Sequence, residues 1–174
     1  MGTAGNNLVR NVEVKEVVRS LDRFYCYNLA VMHWAEALAN RLQGPAAFLL
    51  SSELEDVAEH SHTAAKALAD RIGDLGGAVT ADPGQLVERS PLAEFSLPAS
   101  FSDVGTILRY AVKQVQAIIR AYGTFLDRVR GNDELSYQLV LRLLGDEVHR
   151  EAEIEAALED GGGPARLGDR GPGG

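Results

Sequence analysis

The apolar positions of this chain fall into four long stretches with helical spacing. In the first, Val14, Val17, Leu21, Phe24, Leu29, Val31, Met32, Ala35, Leu38 and Leu42 recur mostly three or four residues apart, with no Gly or Pro among them. That spacing predicts an amphipathic helix over 13–42. Gly44-Pro45 closes it, since glycine suits a helix C-cap and proline the first turn of the next helix. The second helix is expected from Pro45 or Phe48 to Leu75, where Gly76-Gly77 stops it. Residues 78–100 change character: Pro83, Gly84, Pro91 and Pro98 exclude a continuous helix and leave room for one turn around 85–88. The third helix is expected over 102–130, capped by Ser100 or Ser102, with Val104, Ile107, Leu108, Val112, Val115, Ile118, Ile119, Tyr122, Phe125 and Leu126 on its apolar side. Gly131-Asn132 turns the chain into a fourth, which runs through Leu139, Val140, Leu143, Leu144, Val148 and Ile154 to Leu158.

Short turn, long crossover, short turn is the connectivity of an all-α four-helix bundle with one long crossover between its second and third helices. An extended segment of that size can travel the length of the bundle, so that the third helix runs parallel to the second. The expected organisation is a flexible arm over 1–12, the bundle over 13–160, and a disordered tail over 161–174 that is rich in Gly with two Pro.

Composition narrows the class. The chain has 174 residues, 45% of them apolar and 24% charged, which suits one soluble domain with a substantial core. No apolar stretch approaches a membrane span, and the first residues lack a basic segment followed by an apolar run, so neither membrane insertion nor a secretory signal is expected. Cys26 is the single cysteine, which excludes an intramolecular disulfide and fits a reducing cytoplasm. A net charge of −8 with no basic tail or face argues against nucleic acid as a partner and is compatible with collecting cations.

The candidate chemistry lies in Glu59-His60-Ser61-His62 on the second helix and Asp146-Glu147-Val148-His149 on the fourth. Each sets a carboxylate and an imidazole three residues apart, so Glu59 with His62, and Asp146 with His149, leave one helix face about a turn apart. Two such pairs on two helices can close around a metal ion.

With these motifs, and with Leu68, Arg71-Ile72 and Leu75-Gly76-Gly77 after the first, residues 15–158 resemble the ferritin-like superfamily, in particular bacterioferritins and the Dps-like miniferritins. The resemblance implies a homo-oligomer, iron as ligand, and further carboxylates from the first and third helices. Those slots fall on Tyr27 or Asn28, and on Lys113, Gln114, Val115 or Gln116, none of which is a carboxylate. The second pair also begins with Asp146 where the family has Glu. A degenerate di-iron site is the consequence. Two ions side by side are poorly compensated by two carboxylates, whereas a single Fe or Zn suits two His and two carboxylates. Alternatively the core is metal-free, with the Lys113 ammonium in the place of a metal and Tyr27 and Gln116 as hydrogen-bond partners. His60 follows Glu59 as the haem-ligating Met follows its helix-B Glu in bacterioferritins, and is set as a haem ligand against a plain interface histidine. Arg71 is assigned to an interface ion pair, and Glu147, Glu151 and Glu153 to solvent.

Two functions follow. One is an oligomeric ferritin-like protein that binds iron or another transition metal for storage or detoxification, with weak or altered ferroxidase activity. The other is a metal-free pseudo-ferritin serving as a cage subunit or interaction scaffold. Inward-facing Tyr27 and Val115 favour the second; a ligand from Glu36 or a glutamine favours the first.

Overall fold

In the computed structural model, which describes residues 9–92 and 96–160, four long helices form an all-α bundle. They are α1 (Val14–Ala39), α2 (Gly44–Asp74), α3 (Val104–Val129) and α4 (Glu134–Glu159). Each lies within a few residues of its expected span. The crossover between α2 and α3 holds a 3-10 turn at Pro83–Gln85 and a single helical turn at Leu86–Arg89. The expected tail over 161–174 lies outside the described residues, as does most of the expected arm. Of that arm, Arg10 is described, and its backbone N–H donates to Asn132 O at 2.7 Å. Among the described residues no helix is long and apolar enough to cross a membrane.

Local chemistry sets the ends of the helices. At Gly131 the backbone takes φ +71°, the left-handed conformation that glycine adopts without strain, and the chain reverses into α4. Gly77 serves by its lack of a side chain: a Cβ there would lie 2.6 Å from Val18 Cγ1, so α1 and the end of α2 approach closely. The cap of α3 falls at Asp103, beyond the expected Ser100 or Ser102. Asp103 accepts from Thr106 N at the start of α3, and Asp133 accepts from Ser136 N at the start of α4.

Directions follow from two ties. Gln43 N–H donates to Phe101 O at 2.9 Å, which brings the end of the crossover back to the start of α2, so α3 runs parallel to α2 as expected. Arg71, near the end of α2, donates from Nη2 to Asp133 Oδ1 at 2.8 Å and from Nε to Ser136 Oγ at 2.9 Å. Its side chain is 6% exposed and that of Asp133 1%. Arg71 therefore closes the bundle internally, in place of the intersubunit ion pair expected for it.

The apolar interior is divided. One core gathers Val17, Leu21, Phe24, Leu68, Ile72, Ile118, Phe125, Val129 and Val140 at the Arg71 end. A second gathers Ala35, Leu38, Ala46, Leu50, Leu54, Ile107 and Leu108 at the other. Within each hairpin, α1 with α2 and α3 with α4, the helices are closely apposed, while the hairpins stand further apart from one another. That separation leaves room for a polar layer and a cavity between the two cores.

Removing one partner of a buried ion pair leaves the other charge uncompensated. Arg71→Met is therefore expected to lower the unfolding free energy by about 3–5 kcal/mol, read from urea denaturation, without changing the helical content of the folded state.

Candidate functional site

The polar layer is built from frames that run the length of each helix. On α2 the buried positions are Leu54, Ala58, Ser61, Ala64, Ala65, Leu68 and Ile72, a run of threes and fours that passes between Glu59 and His62. Both of those residues are exposed. On α4 the buried positions Val140, Leu143, Glu147 and Ala157 are in register, so the inward carboxylate is Glu147 and not its neighbour Asp146. Glu147, assigned to solvent from the sequence, is thus at the centre of the bundle. On α1 and α3 the inward residues at this level are Tyr27 and Val115, while Glu36 and Lys113 are exposed.

The four expected ligands are not brought together. Glu59 and His62 point to solvent from α2. Asp146 Oδ2 lies 3.7 Å from His60 Nε2, and His149, 77% exposed, holds Glu153 Oε1 at 3.1 Å. Thus His60, the candidate haem ligand, is half-buried against a carboxylate at the edge of the bundle. Among the described residues no three His, Cys, Asp or Glu side chains converge as metal ligands.

At the centre stands an ion pair. Arg150 Nη1 donates to Glu147 Oε1 at 3.2 Å and to Oε2 at 3.0 Å, with the side chains 17% and 4% exposed. Around it lie the buried Tyr27 and Tyr122, and Asn28 Nδ2 donates to Phe24 O at 2.8 Å and Tyr122 OH at 3.3 Å. Burial raises the Glu147 carboxyl above its ordinary value, and the Arg150 guanidinium pulls it partway back. Burial, with the nearby Glu147 charge adding to it, also raises both tyrosine hydroxyls, which therefore stay protonated.

These residues do not fit a dinuclear metal centre. Among the described residues one carboxylate faces inward at this level, it is already neutralised by a guanidinium, and the inward positions near it on the other helices are hydroxyl, amide or apolar. The compensating cation expected from the sequence was the Lys113 ammonium. It is supplied instead by Arg150, one turn along α4 from the carboxylate it holds, because Lys113 lies outside the apolar frame of α3.

Beside the ion pair a cavity of about 1060 Å³ opens between the hairpins. Its floor is apolar, and Glu53, Asp56, His60, Asp146, His149 and Glu153 stand among its lining residues. Trp34 and Tyr110 stack in its wall with ring centroids 5.3 Å apart. The crossover pins both: Trp34 Nε1 donates to Ser96 O, and Ser96 N donates to Tyr110 OH. His33 is exposed, and Cys26 is fully buried with its thiol raised by that burial.

With this geometry in view, the family can be assigned. The ferritin-like domain family matches residues 25–162, and the chain belongs to it. No curated protein matches the sequence. Solved structures with the same fold include the bacterioferritin-related protein of Bacteroides fragilis, described as a dodecameric thioferritin. It aligns with TM-score 0.80 and 21% identity over 87% of this chain and 89% of its own. A point mutant of Mycobacterium smegmatis Dps1 aligns with TM-score 0.75 and 14% identity over 91% and 99%. A ferritin-like diiron-carboxylate protein of Bacillus anthracis aligns with TM-score 0.71 and 20% identity over 83% and 96%.

The half-buried His60 gives a pH dependence. Burial lowers its pKa from 6.5, Arg150 adds to the effect, and Asp146 opposes it. The folded state therefore prefers the neutral ring. The stability this contributes is present above about pH 6.5 and is lost as pH falls through the lower folded-state value. The urea midpoint is expected to drop between about pH 7.5 and about pH 5, and to drop less in His60→Gln.

Proposed function

We propose that this chain is a subunit of a ferritin-like homo-oligomer whose role is structural or interactive, the bundle centre having exchanged metal chemistry for an internal ion pair. The observation that supports it most strongly is Glu147 held by Arg150, with Tyr27 and Val115 inward at the slots where the family resemblance implies carboxylates. A guanidinium fixed against the Glu147 carboxylate supplies the positive charge that a metal would otherwise bring, and it repels a second cation. The cytoplasm is the proposed compartment, consistent with the single buried Cys26.

Assembly is proposed from two features. Phe48 is 90% exposed, and Leu135, Leu141 and Val148 are also open on the isolated chain, a set that subunit contacts would cover. The Bacteroides fragilis relative is described as a dodecamer.

A second reading keeps iron storage or detoxification but moves the metal to the outer surface. Glu59 and His62, exposed together on one face of α2, favour it as ligands shared between subunits, with Asp146 and His149 as further donors near the hairpin edge. In that case ferroxidase activity would be weak.

Elemental analysis of protein prepared without chelator, combined with the rate of Fe(II) oxidation and light scattering, separates the two. The first reading predicts an oligomer with no stoichiometric transition metal and Fe(II) oxidation at the buffer rate. About one metal per chain, lost in His62→Ala and in His149→Ala, establishes the second reading. Saturable Fe(II) oxidation that is abolished by Glu147→Gln would overturn the account of the bundle centre.

A further inference from the structure

The cavity between the hairpins has a use that neither reading above requires. It is large enough for a drug-sized molecule, and it combines apolar walls with a few polar groups, as small-molecule sites do. Its inner end reaches Tyr27 and Arg150 of the polar layer, and its body runs along Leu54, Ile107 and Leu108 of the second core. Among the described residues four carboxylates line it, those of Glu53, Asp56, Asp146 and Glu153, the last two facing His60 and His149, against the single guanidinium of Arg150, which Glu147 already holds.

Glu53 and Asp56 line the cavity from α2 and Glu153 from α4. Burial, and then the charges of Asp56 and Glu153, raises the Glu53 carboxyl above its ordinary value. On the remaining wall, the Trp34–Tyr110 stack offers aromatic surface, and Ser96 keeps both rings in place. Aromatic faces and carboxylates recognise the same charge.

We propose that the cavity binds an organic cation with an apolar body, the body lying against Leu54, Ile107 and Leu108 and the ammonium group beside the carboxylates of Glu53, Asp56 and Glu153. An anion of equal size is disfavoured, because its charge would meet those carboxylates while the lining guanidinium is already engaged by Glu147.

The chain carries its own reporter: Trp34 is the only tryptophan, and it lines the cavity. The full chain is titrated with dodecylammonium and, separately, with dodecanoate, both below their micelle concentrations, and tryptophan emission is followed. Dodecylammonium is expected to change the emission saturably at one equivalent per chain, with dodecanoate at least about tenfold weaker. Glu53→Gln combined with Glu153→Gln is expected to remove most of that preference. Ala111→Phe, which narrows the cavity, is expected to weaken dodecylammonium binding, with circular dichroism confirming the fold. Should Ala111→Phe fail to fold, the Glu53→Gln/Glu153→Gln variant decides the matter alone. No saturable response, dodecanoate binding as tightly as dodecylammonium, or a preference for dodecylammonium that survives unchanged in Glu53→Gln/Glu153→Gln would each overturn the proposal. None of these readouts depends on iron, so the outcome is independent of the function proposed above.

Discussion

A carboxylate in the middle of an apolar bundle has to be protonated or matched by positive charge, and in this protein Arg150 matches it. Much else at the centre follows from that pairing. Glu147 accepts both bonds from one guanidinium nitrogen. Tyr27, Tyr122 and Asn28 complete a polar layer in which the hydroxyls remain neutral. Tyr27 and Tyr122 of the layer belong to the apolar core at the Arg71 end, and a second core fills the other end of the bundle. A second internal ion pair, Arg71 with Asp133, fastens the end of α2 to the start of α4. Arg71 is held by geometry that a lysine's single ammonium would not reproduce, since its Nε and Nη2 reach Ser136 and Asp133 from one planar fork.

The same separation of hairpins that accommodates the polar layer also produces the cavity. A fully interdigitated core would fill that space with side chains. Here small residues and the pinned Trp34–Tyr110 pair border an open volume, with acidic groups and histidines along one side. The family fold is present, and at the level of the polar layer the inward residues are Tyr27, Val115 and the Glu147–Arg150 pair.

The architecture was legible because it depends on periodicity and punctuation. Four apolar stripes, Gly44-Pro45, Gly76-Gly77, Gly131 and the proline-rich crossover leave few alternatives to the observed bundle. The centre was harder to read, for a reason that lies in particular residues. Spacing of three between Glu59 and His62, and between Asp146 and His149, establishes that each pair shares a face, but not which way that face points. Direction is set by the whole helix. On α2 the inward frame passes through Ala58, Ser61, Ala64 and Ala65, small residues that carry little hydrophobic signal. On α4, three residues on from Val140 is Leu143 and four more is Glu147, and adjacent residues on a helix differ in direction by about 100°, so Asp146 is turned to the edge. Arg71 and Asp133, 62 residues apart, meet only through the crossover and could not be paired from local pattern.

The central claim is that Glu147 and Arg150 form one compensated unit, and a double-mutant cycle measures it most directly. Unfolding free energies of Glu147→Gln, Arg150→Met and the double variant give the coupling between the two side chains. The account predicts a favourable coupling toward the upper end of the range of about 0.5–3 kcal/mol seen for contacting residues, with Arg150→Met the most destabilised of the three. Additive effects, with no coupling beyond about 0.3–0.5 kcal/mol, would contradict it and remove the ion pair as the organising feature of the bundle centre.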